Sequence, residues 1–177
     1  NSVFQVNSFI VDYSNCGLNL NVEKPVSVGS DRLCNMVAAI KLYGAPIIIV
    51  DFGTANTYDV IDENNNFIGG IISPGVETSA KYLIEKAALL NEVKFEFPKN
   101  VIGKNTLTNI QSGIMFGAID QIVGMVKRIK KETKILNYTI ILTGGFAKLL
   151  SSQLEAKHLF EEHLTLKGLL YIYNANY

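Results

Sequence analysis

The apolar positions fall into blocks of two different periods, and the blocks alternate along the chain. Over residues 31–43, Leu33, Met36, Val37, Ile40 and Tyr43 follow the i, i+3, i+4, i+7 spacing of an amphipathic helix, and Gly44 stands where a helix C-cap is expected. Pro46-Ile47-Ile48-Ile49-Val50 is a continuous β-branched run, the pattern of a strand buried on both faces. Residues 58–61 and 67–72, on either side of the polar turn 62–66, predict a hairpin hanging off that strand. Helical spacing returns over 76–90. A long helix is predicted from Thr106 to about Lys131, its last turns basic, as suits the negative end of the helix dipole. Residues 138–142 read as a second buried strand, ending on Thr143-Gly144-Gly145, with a short helix from Ala147 and a last one over 164–173. Upstream, Phe9-Ile10-Val11 reads as a short strand before a polar loop, and the apolar stretch 3–11 as the tail of an element already under way. Such alternation of strands and helices indicates an α/β fold. The glycine-bearing turns fall at the ends of the buried strands, where open α/β sheets bind ligands.

Composition narrows the classes. Of 177 residues, 48% are hydrophobic and 18% charged, enough apolar material for a core and too much for a disordered chain. Sixteen Lys and Arg balance sixteen Asp and Glu, so no net field draws nucleic acid or an anionic membrane. No apolar run approaches the roughly 18 residues of a membrane span. Cys16 and Cys34 cannot build a disulfide scaffold, and neither has a Cys or His at metal-ligand spacing, so a reducing cytoplasm is the expected location. There is no initiator Met, basic leader or cleavage pattern, and a missing N-terminal part is expected. No repeat, low-complexity tract or linker marks a domain boundary.

The sharpest local signal is Asp51-Phe52-Gly53-Thr54. A carboxylate at the end of a buried strand is costly unless a cation or hydrogen-bond donor meets it. Gly53 allows close backbone approach and Thr54 adds a hydroxyl, a grouping suited to a phosphate tail and its cation; it also suits a plain hairpin turn. Thr143-Gly144-Gly145 opens a helix and offers backbone N–H groups to an anion, or is only a turn. Gly29-Ser30-Asp31-Arg32 starts a helix: either Ser30 or Asp31 caps it, or Asp31 is a general base beside an Arg that clamps an anion. Gly103-Lys104-Asn105-Thr106 reads as a loop and cap. Gly113 and Gly117, one turn apart, predict a close helix approach within the core or across a dimer. His158 and His163 carry no partner motif, and Cys34, placed opposite the centre of its helix's apolar stripe, has no activating neighbour.

Taken in order, Gly29-Ser30-Asp31-Arg32, Asp51-Phe52-Gly53-Thr54-Ala55-Asn56-Thr57, Gly69-Gly70-Ile71-Ile72-Ser73-Pro74-Gly75, Gly103-Lys104-Asn105-Thr106 with Gln111-Ser112-Gly113, and Thr143-Gly144-Gly145 resemble the type III pantothenate kinases of the sugar kinase and actin superfamily. Leu164-Thr165-Leu166-Lys167-Gly168-Leu169 resembles that family's C-terminal signature. The resemblance implies a ribonuclease H-like (actin-like ATPase) fold, with residues 1–45 ending a first half and 46–177 forming the second. It implies ATP-dependent phosphorylation of pantothenate, the first step of coenzyme A biosynthesis, with Mg2+ accompanying the nucleotide. Carried over by residue, Asp31 is the proton acceptor and Gly29, Ser30, Asp31 and Arg32 form the pantothenate loop. Asp51 holds a potassium or ammonium ion. Gly53, Thr54, Gly144 and Gly145 serve the nucleotide, and Thr106 reaches pantothenate from the neighbouring subunit of a homodimer with shared active sites.

The sequence departs from the family pattern in two main places. The family's Asp-x-Gly-Asn-Thr phosphate loop has no match, so the chain by itself is expected to be inactive. Val22 stands where the family usually has a Tyr on pantothenate, and Asn56 replaces a more usual Thr. Rival readings are a non-catalytic relative acting through a partner, a sugar or acyl kinase of the same superfamily, and a structural fragment; the retention of both Asp31 and Asp51 argues against the first.

Overall fold

The apolar run of residues 47–50 lies at the centre of the sheet, for the reason its composition suggests: both of its faces are covered. The computed structural model describes residues 8–86 and 93–177. Its elements are β1 (Asn19–Leu20), α1 (Ser30–Tyr43), β2 (Ile47–Phe52), β3 (Ala55–Ile61), β4 (Asn66–Pro74), α2 (Val76–Lys86), α3 (Thr106–Thr133), β5 (Thr139–Thr143), α4 (Ala147–Ser151), β6 (Leu159–Phe160) and α5 (Leu164–Asn176). The sheet order is β1-β4-β3-β2-β5-β6. Strands β2, β3 and β4 are antiparallel neighbours, whereas β5 runs parallel to β2 and β6 parallel to β5. Three antiparallel strands continued by two parallel ones form the ribonuclease H-like arrangement.

Side chains along a strand alternate between faces. In β2, Ile48, Val50 and Phe52 join a core with Met115, Ile122, Val126 and Ile129 of α3 and with Leu150 of α4. Ile47 and Ile49 join the opposite core with Leu33 and Met36 of α1 and with Leu164 and Ile172 of α5. Each fully buried Ile or Leu contributes about 1.5–3 kcal/mol relative to exposure. The same alternation assigns Asp51 to the α1 and α5 face. Those two helices pack closely: a Cβ on Gly168 would collide with the Cys34 backbone. Cys34 is therefore buried against α5, not on a free face of α1, and burial pushes its thiol up to about 11.

Several element boundaries differ from the sequence expectation. Residues 9–11 form no strand; Val11 is buried, and its carbonyl accepts the Ser30 hydroxyl at 2.5 Å. Strands β1 and β6 are two residues each, too short to show a period. The expected extension of α2 over residues 87–90, and the apolar stretch over residues 3–7, lie outside the described residues. Gly44 does end α1, at φ 70°, its N–H donating to the Ile40 carbonyl. Among the described residues no helix is long and apolar enough to cross a membrane.

Candidate active site

The carboxyl ends of β2 and β5 lie side by side, with Asp51 paired in register to Thr143. Asp51 is half-buried, and its carboxylate meets the hydrogen-bond donor that its position demands: Asn35 Nδ2 donates to Oδ2 at 2.9 Å. The carboxamide oxygen of Asn35, itself fully buried, accepts from Thr165 Oγ1 of α5 at 2.7 Å. The other Asp51 oxygen is turned to the Gly144 turn. A Cβ at Gly144, where φ is 92°, would collide with Oδ1 and with the Phe52 backbone, so this position requires glycine. Burial raises the Asp51 pKa above the usual carboxylate value; the Asn35 N–H opposes the shift and the Asp31 charge adds to it.

Asp31 lies in the first turn of α1 and is exposed. Its charge acts on both Asp51, at the end of β2, and Asp59, in the middle of β3. Neither Ser30 nor Asp31 is the N-cap. Gly29 holds that position without a side-chain cap, Ser30 is engaged by Val11, and Asp31 Oδ1 accepts from the Arg32 N–H at 2.8 Å. Arg32 spends two of its donors on Asp59: Nε and Nη2 reach Oδ1 at 2.9 and 2.5 Å. The pair is almost dry, with Arg32 and Asp59 side chains 15% and 0% exposed. Phe67 lies under the guanidinium at 5.5 Å, and Gly70 leaves no room for a side chain beside it. Burial pushes the Asp59 carboxyl up to about 6, against the pull of Arg32. Arg32 also borders a cavity of about 350 Å³ with Val22, Lys24, Ser27, Val28 and Phe67. Val22, the departure noted in the sequence, thus lines the same cavity as Arg32.

Gly53 and Thr54 form the tight turn between β2 and β3. The Gly53 N–H donates to the Ala55 carbonyl, and the Thr54 carbonyl accepts from the Gly75 N–H and from Thr78 Oγ1. That turn is pinned by its backbone, leaving the Thr54 side chain exposed. Gly145 is open to additions, and α4, five residues long, begins only at Ala147.

Thr106 lies apart from this cluster. It is the first residue of α3 and lines a different cavity, about 610 Å³, with Asn56, Val76, Ile110, Gly113, Gly117 and Gln121. Asn105 caps α3 through a reciprocal box with Thr108, as a cap reading of that loop predicts. A Cβ at Gly113 or Gly117 would meet nothing within 4 Å among the described residues, so neither glycine serves packing among them.

Chemically, the start of α1 and the end of β2 offer an exposed carboxylate, a half-buried carboxylate with one oxygen held and one facing the Gly144 turn, two glycine turns and, on β3, an anchored guanidinium. That set can receive a proton, hold a cation and accept a phosphate chain close to the backbone. Among the described residues no group of three or more His, Cys, Asp or Glu side chains converges on a metal ion, so Asp51 offers a single side-chain site. Asn35, Asp59 and Phe67 did not stand out as site residues in the sequence. Asn35 lies one helical turn after Asp31, and Asp59 is a lone carboxylate inside Tyr58-Asp59-Val60-Ile61, a position that demands a cationic partner.

The family model described as type III pantothenate kinase matches residues 1–128. A type III pantothenate kinase of Bacillus cytotoxicus is 46% identical over 160 residues, 90% of this chain and 61% of the relative. One of Agathobacter rectalis is 39% identical over 171 residues, 96% of this chain and 66% of the relative. The chain therefore spans a little under two thirds of the length of these curated relatives. A Campylobacter jejuni structure described as a Baf family transcriptional activator superposes with a TM-score of 0.65 at 19% identity, covering 94% of this chain and 72% of that one; it speaks for the fold.

Proposed function

Because the chain belongs to the type III pantothenate kinase family, we propose that the whole protein transfers the γ-phosphoryl group of ATP to the primary hydroxyl of pantothenate, in the cytoplasm. The observation that carries this reading is Asp51 at the carboxyl end of β2 beside β5, with the charge of Asp31 acting on it and Arg32, the next residue of α1, anchored on β3 by Asp59. Asp31 accepts the hydroxyl proton as the substrate oxygen bonds to the γ-phosphorus; the bond from that phosphorus to the bridging oxygen breaks, and ADP leaves. Exposure of Asp31, which directly precedes the cavity-lining Arg32 in the chain, supports this role. Gly29, Ser30 and Arg32 bound the pantothenate side, and Arg32, its Nε and Nη2 already held by Asp59, presents the rest of its planar fork to the substrate carboxylate.

Asp51 fits a potassium or ammonium ion: Oδ2 is held by Asn35 and Oδ1 is turned to the glycine turn, a single oxygen suited to a weakly bound cation. Such a cation neutralises part of the charge on the phosphate chain. Gly53, Thr54, Gly144 and Gly145 border the nucleotide, whose Mg2+ comes with ATP. The open strip of Gly113 and Gly117 beside the exposed Thr106 supports a homodimer in which Thr106 completes the neighbour's pantothenate site.

The test is ADP release by the whole protein with ATP and potassium. ADP release that requires pantothenate and yields its phosphate ester supports the reading; ADP release indifferent to pantothenate contradicts it.

A further inference from the structure

Resting on the cation role of Asp51 given above, we propose that Thr165 and Asn35 are a positioning relay that holds the Asp51 carboxylate in the orientation that leaves one oxygen for the cation, making α5 part of the cation-binding machinery.

The directions of the hydrogen bonds carry this. An ionised carboxylate only accepts, so Asn35 must turn Nδ2 to Asp51 Oδ2, as it does at 2.9 Å. Its own oxygen then faces α5, where it needs a donor, and Thr165 Oγ1 supplies one at 2.7 Å. The carboxamide is fully buried, so no solvent competes for either end. Were the carboxamide to turn over, its oxygen would face the Asp51 carboxylate and both would repel. Thr165 thus holds in place an orientation that reaches two side chains away. The register of α5 on α1 is fixed close by, because Gly168, three residues after Thr165, sits directly on the Cys34 backbone. With Oδ2 held, Oδ1 is the oxygen left beside the Gly144 turn, where no Cβ is tolerated. The C-terminal Thr165 and Gly168 therefore act together. Gly168 brings the helices into contact, and Thr165 carries that contact through to Asp51.

The experiment compares Thr165→Val, Thr165→Ser and Asp51→Asn in the whole protein. Two readouts are taken against potassium and ammonium concentration: the cation-dependent rise in Tm with ATP bound, and turnover. Thr165→Val is expected to raise the half-saturating cation concentration about 5- to 30-fold in both readouts, the worth of one buried hydrogen bond. The KM for pantothenate should stay near wild type, and Thr165→Ser should restore the wild-type titration. If Thr165→Val leaves the cation titration unchanged while Asp51→Asn abolishes it, the relay is wrong and the role of Asp51 stands. A lower Tm with an unshifted titration makes Thr165 only a tie between helices and overturns the relay equally. If Asp51→Asn leaves the titration untouched, the cation role fails and the relay with it. Should Thr165→Val not fold, Thr165→Cys, a weaker donor, must give a smaller shift in the same direction; no shift overturns the proposal.

Discussion

Helices α1 and α3 both begin after a glycine-containing polar loop, yet their first turns are built in opposite ways. At α3, Asn105 and Thr108 satisfy each other's backbone, so the loop's polar side chains are consumed by the helix they start. At α1 no side chain caps the N-terminus; Ser30 reaches back to Val11 and Arg32 reaches across to Asp59 on β3. Asp31 keeps one oxygen on its own helix and stays exposed. The residue types that cap helices are also those that do acid–base chemistry, so composition alone does not separate the two uses. The direction of the side chains does. A self-capped start leaves its neighbour Thr106 exposed on the surface, whereas the start of α1 is held by other elements and leaves a carboxylate exposed.

The contrast can be broken by substitution. The largest effect is expected from Asp31→Asn: turnover falls about 10²- to 10⁴-fold, the worth of a positioned base, with Tm close to wild type. Near-normal turnover would return Asp31 to the role of an ordinary first-turn residue. Asp59→Ala comes next, because it strips a buried guanidinium of its partner. Urea unfolding should show a loss of about 3–5 kcal/mol, and a change below about 1 kcal/mol would mean that Arg32 is held by Phe67 and packing alone.

Asp59 also predicts a pH dependence. Its folded pKa, about 6, lies above the ordinary 3.8, so the folded state holds the proton more tightly than the unfolded chain. Its contribution to stability is therefore full below about pH 4 and lost as the pH rises through about 6. Stability measured across that window in wild type and in Asp59→Asn should diverge; parallel curves would remove Asp59 as the titrating group. The smallest effect is expected from Asn105→Ala, about 1 kcal/mol of stability through the lost cap, with turnover per folded molecule unchanged. A loss of turnover larger than the loss of stability would make the start of α3 chemical as well as structural.

The periodic elements were legible in the sequence because their signals are local. The apolar spacing gave α1 and α3, Gly44 marked the end of α1, and the β-branched run gave the strand that carries Asp51. The need of Asp51 for a donor was legible too, but not the identity of that donor, since Asn35 belongs to a helix that meets β2 only through tertiary packing. Arg32 was visible as an anion clamp; that Asp59 holds two of its donors depends on β3 lying across from α1. Phe9-Ile10-Val11 read as a short strand, yet Val11 is buried by side-chain packing and lends its carbonyl to Ser30 instead of a ladder. Thr165 stood inside a recognisable C-terminal pattern, and only the packing of α5 on α1 gives it something to touch.

The proposed shared site joins the two unlike helix starts, one from each of two subunits. Mixing whole-protein subunits carrying Asp31→Asn with subunits carrying Thr106→Arg tests it most directly. In a mixed dimer one site collects both lesions and the other neither. Two nearly inactive preparations should regain, on subunit exchange, about a quarter of wild-type activity, since half of randomly formed dimers are mixed and each has one intact site. Mixed dimers that form but remain inactive would contradict the shared site.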